Sequence, residues 1–94
     1  MKVLIADKFE KPGIDKLQQL GCEVQLEVDL SGDTLRDALR DSGAQVLVVR
    51  STKVTPDILE GGQHLELIIR AGAGYDTIDH QVAAQRGIRV CNCP

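Results

Sequence analysis

The stretch AQVLVVRSTKVTPDILE, residues 44–60, decides the fold of this 94-residue chain. Its first half holds an unbroken apolar run, VLVV at 46–49, which is typical of a strand buried on both faces. Thr55 and Pro56 follow, a favoured N-cap residue and a proline suited to the first position of a helix. A doubly buried strand followed by a helix indicates a parallel sheet, because parallel neighbours need crossover connections.

The same alternation of strand and helix extends from this stretch in both directions. Strands are expected at five places: 3–6 (VLIA), 22–26 (CEVQL), 46–49 (VLVV), 65–69 (LELII) and 88–91 (IRVC). Two of the intervening helices show apolar residues at helical spacing: Ile14, Leu17 and Leu20 in the first, and Leu35, Ala38 and Leu39 in the second.

Caps and glycines set the expected ends of the helices. Ser31 or Asp33 is expected to cap the second helix, which should end near Gly43. The third helix should reach about Glu60, and the fourth should run from about Asp79 to Arg86.

These elements predict one α/β domain with a flavodoxin-like open parallel sheet of five strands and helices on both faces. CEVQL alternates polar and apolar residues and therefore suits an edge, whereas the other strands are more continuously apolar. With right-handed crossovers, this burial pattern favours the strand order 2-1-3-4-5.

Composition excludes several classes of partner. The net charge is -3 and no cluster of Lys and Arg is present, so nucleic acid is not an expected partner. No apolar run approaches the ~18 residues of a membrane span. The start MKVLIADKFE has too short an apolar stretch for a secretory leader, so a cytoplasmic protein is expected. Cys22, Cys91 and Cys93 are expected to be reduced thiols, and no metal site is predicted.

The predicted site lies where the strands end, since ligands of open parallel sheets bind outside the carboxyl ends of the strands. Arg50 and Arg70 follow two neighbouring central strands, and Gly72-Ala73-Gly74 comes directly afterwards. Arginine forks and accessible backbone amides together describe a site for a carboxylate or phosphate. The alternative is that both arginines are strand ends paired with Asp7 or Asp76.

Other chemistries find little support in the sequence. Gly72 and Gly74 do not begin a dinucleotide fingerprint, because Thr77 stands where its third glycine would be. A phosphoacceptor domain would need an aspartate where Arg50 stands. His64 and His80 are expected to lie away from the strand ends and to have no catalytic role. Asp76 and Asp79 precede a predicted helix, which favours capping over acid catalysis.

The blocks VVRSTKVTPDIL at 48–59 and LELIIRAGAGYDTIDHQVAAQRGIRVCNCP at 65–94 resemble the N-terminal domain of the D-2-hydroxyacid dehydrogenases, and among them the phosphoglycerate dehydrogenases. The opening KVLIADKFE is similar too, and the likeness is weakest at 21–44. The resemblance implies the substrate-binding lobe of an enzyme that oxidises 3-phosphoglycerate to 3-phosphohydroxypyruvate with NAD, in serine biosynthesis.

The resemblance also implies roles for individual residues. Arg50, Ser51 and Arg70 would hold the charged groups of the substrate, and Gly72, Ala73 and Gly74 would offer backbone amides to its carboxylate. Ala73 stands where some members of the family carry a threonine that reaches the cofactor. Only its backbone is therefore expected to approach NAD.

The residues that move hydride and proton in the family, and its Rossmann NAD-binding domain, would lie in later sequence. Residues 1–94 are therefore expected to be the N-terminal portion of the substrate domain, without catalytic residues and inactive alone, from a homo-oligomeric enzyme. Three alternatives stay open: a stand-alone module that binds small anions, a lobe specific for another 2-hydroxy acid, and a relative in fold only.

Overall fold

Strands and helices alternate along the chain. The computed structural model describes residues 1–6, 11–27, 30–50, 52–71 and 78–93. The elements of these ranges are β1 (Lys2–Ile5), α1 (Lys11–Gln19), β2 (Glu23–Leu26), α2 (Asp33–Ser42), β3 (Val46–Val49), α3 (Pro56–Gly61), β4 (Leu67–Ala71), α4 (His80–Gln85) and β5 (Arg89–Cys93).

The strands form one parallel sheet in the order β2-β1-β3-β4-β5, which confirms the predicted order. Leu47 of β3 is in register with Leu4 of β1 and Ile68 of β4, and all three are fully buried. β2 lies at an edge with half-exposed residues, as its alternating pattern predicted. The apolar runs thus occupy the centre of the sheet, where both faces are covered.

The helices pack on both faces of the sheet, as predicted. On one face α1 covers the sheet, with Ile14 and Leu17 against Val3, Ile5, Val46 and Val48. On the other face α2, α3 and α4 share one core with the sheet, through Leu35, Leu39, Ile58, Leu59, Ala83, Leu4, Leu47, Val49 and Ile68. Within the described ranges, no helix has the length and apolar character needed to cross a membrane.

The ends of α2 show one confirmed and one wrong prediction. Gly43 closes the helix in the left-handed conformation at φ 64°, and its N–H donates to the Leu39 carbonyl. At the start, the N-cap is Gly32 rather than Ser31 or Asp33. Ser31 is instead joined to Thr34, which donates from Oγ1 to the Ser31 carbonyl at 2.8 Å. Ser31 therefore lies one position too early, and Asp33 is already in the helix.

Two further expectations need correction. Leu20 is 73% exposed because α1 ends at Gln19, so it does not belong to the buried stripe. The fourth strand is shifted forward: it starts at Leu67 and contains Arg70. Pairing with β5 continues through Ala71, since a charged side chain at the end of a strand does not interrupt the backbone ladder.

Candidate functional site

Arg50 and Arg70 lie on neighbouring strands at the edge of the sheet where the parallel strands end, here called the carboxyl edge. Arg70 is in register with Val49, so Arg50 lies one residue beyond the backbone partner of Arg70. Neighbouring strands lie about 4.8 Å apart. The structure therefore brings the two arginine positions together on adjacent strands, as the sequence predicted.

The two side chains differ in setting. Arg70 lies inside β4 and is half-buried, and the alternation of the strand gives it the same face as Ile68, the face covered by α2, α3 and α4. Arg50 follows the last residue of β3 and is exposed. Because Arg50 lies beyond the end of β3, the backbone pairing of the sheet does not set the direction of its side chain.

The remaining predicted site residues, Ser51, Gly72, Ala73 and Gly74, lie outside the described residues. So do Asp7 and Asp76, which the alternative reading pairs with the arginines. The contribution of the serine and of the glycine segment to an anion site stays a prediction.

A second parallel pairing lies beyond the arginines, and sequence reasoning missed it. Val54 and Ile78 form a parallel bridge, and the N–H of Asp79 donates to the Val54 carbonyl at 3.0 Å. Val54 is 1% exposed and Ile78 is 5% exposed. Each is an apolar residue between polar neighbours, a signal too short to be recognised as a strand.

Asp79 begins α4 at the carboxyl edge. Its Oδ1 accepts a hydrogen bond from the Val82 N–H at 3.0 Å, which confirms the predicted cap. His80 is the first residue of α4, and its expected distance from the strand ends stays a prediction. The corresponding expectation for His64 is right, because it lies between α3 and the start of β4.

A groove of about 340 Å³ lies elsewhere, between α2 and the edge strand β2. Its lining includes Lys2, Gln25 and Glu27 from the sheet side, with Thr34 and Asp41 from α2. The amide of Gln25 donates to Glu27 at 2.6 Å, so part of its polar surface is paired internally. None of the predicted site residues lines this groove.

The two arginines are the side chains of the predicted anion site that the structure describes at the carboxyl edge. In the ranges that the structure covers, no group of three His, Cys, Asp or Glu side chains is placed to hold a metal ion. The sequence Asp-Lys-Phe-Glu, which comes directly after Ala6, contains no glycine and so does not match the glycine-rich fingerprint of a dinucleotide site.

The comparisons with known proteins agree on one family. The sequence model described as "D-isomer specific 2-hydroxyacid dehydrogenase, catalytic domain" matches residues 3–94. D-3-phosphoglycerate dehydrogenase of Methanocaldococcus jannaschii is 41% identical over 95 residues, which cover 100% of this chain and 18% of that protein. Hydroxypyruvate reductase of Thermotoga maritima is 60% identical over 50 residues, which cover 52% of this chain and 16% of that protein.

A solved structure agrees with these sequence matches. The NAD⁺-bound 3-phosphoglycerate dehydrogenase of Entamoeba histolytica superimposes with a TM-score of 0.88 at 30% identity. The match covers 100% of this chain and 33% of that one. The 94 residues thus span less than a fifth of the curated relative from M. jannaschii.

Proposed function

This chain belongs to the D-isomer specific 2-hydroxyacid dehydrogenase family, and from that premise we propose that it is the substrate-binding lobe of an NAD-dependent enzyme that oxidises 3-phosphoglycerate to 3-phosphohydroxypyruvate. One observation carries the proposal: Arg50 and Arg70 lie at the ends of adjacent central strands. The substrate has two anionic groups, a carboxylate and a phosphate, and arginine binds both kinds with a planar fork of donors. The product would feed serine synthesis.

Substrate binding and NAD binding are proposed to fall on different parts of the enzyme. We propose that residues 1–94 form the N-terminal portion of the substrate domain; the model of the family's catalytic domain matches residues 3–94, and the match covers only 18% of the M. jannaschii relative. NAD, which supplies the hydride acceptor, would be bound mainly by further sequence. The part of this chain is to bind and orient the substrate through Arg50, Ser51, Arg70 and the 72–74 backbone. The isolated chain is expected to show no turnover.

The location is proposed to be the cytoplasm. Cys22 and Cys91 carry no disulfide, which suits a reducing compartment.

A second candidate is a lobe for another 2-hydroxy acid. The 60% identity to a hydroxypyruvate reductase covers about half of the chain and favours a substrate without phosphate. The two candidates differ in whether the phosphate group contributes to binding.

The test is a titration of the chain with 3-phosphoglycerate, followed by NMR through the backbone amide shifts at the carboxyl edge. Arg50→Ala and Arg70→Ala are each expected to weaken binding about tenfold or more, because a hydrogen bond to a charged group contributes about 1.5–3 kcal/mol. Arg89→Ala is the matched control, since it removes an exposed arginine at the amino end of β5.

The outcomes separate the candidates. Saturable shifts that Arg89→Ala leaves unchanged support the site, whereas equal weakening by all three variants would indicate a general charge effect. D-glycerate lacks only the phosphate, so equal affinity for D-glycerate would favour the second candidate. Absence of saturation in the unmodified chain contradicts a substrate site formed by these residues.

A further inference from the structure

The edge strand β2 has an outer side that faces away from the sheet. Among the described strands it pairs with β1 alone. The N–H of Glu23 donates to the Met1 carbonyl at 2.9 Å, on the side of β1. Because the backbone groups of successive strand residues point in opposite directions, the N–H and C=O groups of Val24 and Leu26 point outward. Such a row of backbone groups is a template for pairing with another strand.

Exposed apolar side chains gather at this same edge. In the described ranges, the large apolar residues that are exposed are Met1, Leu20 and Leu26, at 64%, 73% and 47%. Leu26 ends β2, and Leu20 lies in the turn between α1 and β2. Met1 is the residue whose carbonyl accepts from Glu23. The apolar surface left uncovered therefore adjoins the strand whose backbone is open.

The sequence of this strand complements itself in an antiparallel arrangement. When two copies of CEVQL, 22–26, pair about Val24, Val24 faces Val24, Glu23 faces Gln25, and Cys22 faces Leu26. Val24 then forms a hydrogen-bonded pair, which is the kind that its outward N–H and C=O require. The alternation of the strand places the apolar pairs on the face covered by α1. On the other face, a carboxylate meets an amide donor.

Charge argues against the next possible register. Pairing about Gln25 would place Glu23 opposite Glu27 of the second copy, and like charges that face each other destabilise a strand pair. The pairing about Val24 is also short. The Cys22 N–H already donates to the Leu17 carbonyl at 3.1 Å, so only the Cys22 carbonyl remains to accept from Leu26 of the second copy.

We propose that β2 is an interface between two copies of this chain, which pair antiparallel about Val24 and join their sheets into one. The same strand is used by both copies, so the contact closes on itself with two-fold symmetry. It uses none of the residues of the anion site and is independent of the proposed function. A contact of this size forms a weak dimer whose population rises with concentration.

The first measurement is sedimentation velocity of the chain from about 10 μM to about 1 mM, a range suited to weak association. Amide hydrogen exchange over the same range locates the contact. The N–H groups of Val24 and Leu26 should become protected as the dimer forms, because they point outward in the single chain. The N–H of Glu23, which is bonded within the chain, should exchange at the same rate throughout.

The edge is identified by two lysine substitutions. Leu26→Lys places a charge in the apolar pair with Cys22 and should raise the dissociation constant at least about tenfold. Cys91→Lys is the matched control, since Cys91 is exposed on β5 at the opposite edge of the sheet. It should leave the dissociation constant unchanged.

The register is identified by exchanging one pair. Gln25→Glu puts two carboxylates opposite each other at two symmetric places, and it should weaken the dimer about fivefold. Adding Glu23→Gln in the same chain should restore the affinity, because a carboxylate again faces an amide. Both variants lose the bond from Gln25 to Glu27, so their difference reports the pair across the interface.

Four results would overturn the interface: a chain that stays monomeric up to about 1 mM, unchanged exchange of the Val24 and Leu26 amides, a dimer that Leu26→Lys does not weaken, or equal weakening by Cys91→Lys. Equal affinity of Gln25→Glu and the double variant would overturn the pairing about Val24.

Discussion

Replacing Leu47 with alanine is expected to remove about 2–5 kcal/mol from the free energy of unfolding, the usual cost of truncating a buried leucine. Leu47 is fully buried in β3, between Leu4 and Ile68 on the neighbouring strands. Domains of this size are stable by only about 5–15 kcal/mol, so the loss is a large share of the total. Urea denaturation followed by circular dichroism measures it, and Tm should fall by more than about 10 °C.

The matched control for this truncation is Leu26→Ala. Leu26 is 47% exposed on the edge strand β2, so the same chemical change should cost less than about 1 kcal/mol. Equal losses for the two variants would contradict the central position of β3 and the edge position of β2.

Gly61→Ala is expected to destabilise the chain by about 3 kcal/mol, the upper part of the range for overpacked interiors. A Cβ atom at Gly61 would lie 2.5 Å from the carbonyl oxygen of Arg36 and 2.7 Å from its Cγ. The carbonyl belongs to the backbone of α2, so α2 and α3 would have to move apart. Thermal and urea unfolding of the variant measure the loss.

Gly43 provides the comparison, because its restriction is of another kind. Its φ is +64°, and a Cβ there would meet only the His64 ring at 3.8 Å. Asparagine tolerates the left-handed region better than alanine does, so Gly43→Asn should cost less than Gly43→Ala. At Gly61 the order should reverse, with asparagine worse than alanine because it is larger. The same order at both positions would show that space does not limit the contact between α2 and α3.

The strand order was predictable from the sequence because strands buried on both faces have continuous apolar runs, whereas a half-exposed edge strand alternates polar and apolar residues. VLVV is typical of a strand covered on both faces, and CEVQL suits an edge, which together favour few strand orders. The N-cap positions of Thr55 and Asp79 were predictable from residue type, although only Asp79 accepts a side-chain cap hydrogen bond and Thr55 makes none. Gly32 was not, because Ser31 and Asp33 are the better cap residues by type and the choice depends on tertiary context.

The sequence predicts the site only to the extent that it predicts where each strand ends. Arg50 and Arg70 follow from the position where each apolar run stops, and the register confirms that they are neighbours. The bridge between Val54 and Ile78 joins residues far apart in sequence through one pairing, which leaves no periodic pattern. Contacts of this kind depend on the fold as a whole and become visible only in three dimensions.

The backbone pairings on either side of residues 72–77 have a consequence for how such a lobe diversifies. Ala71 pairs with Cys93 in the sheet and Ile78 pairs with Val54, so the residues between these two pairings are expected to be exchangeable without disturbing the sheet. Variation in substrate choice and the maintenance of folding then fall on different positions of the chain. Relatives named for phosphoglycerate and for hydroxypyruvate both match this lobe. Grafting segment 72–77 from one relative onto another should accordingly preserve Tm while changing ligand preference.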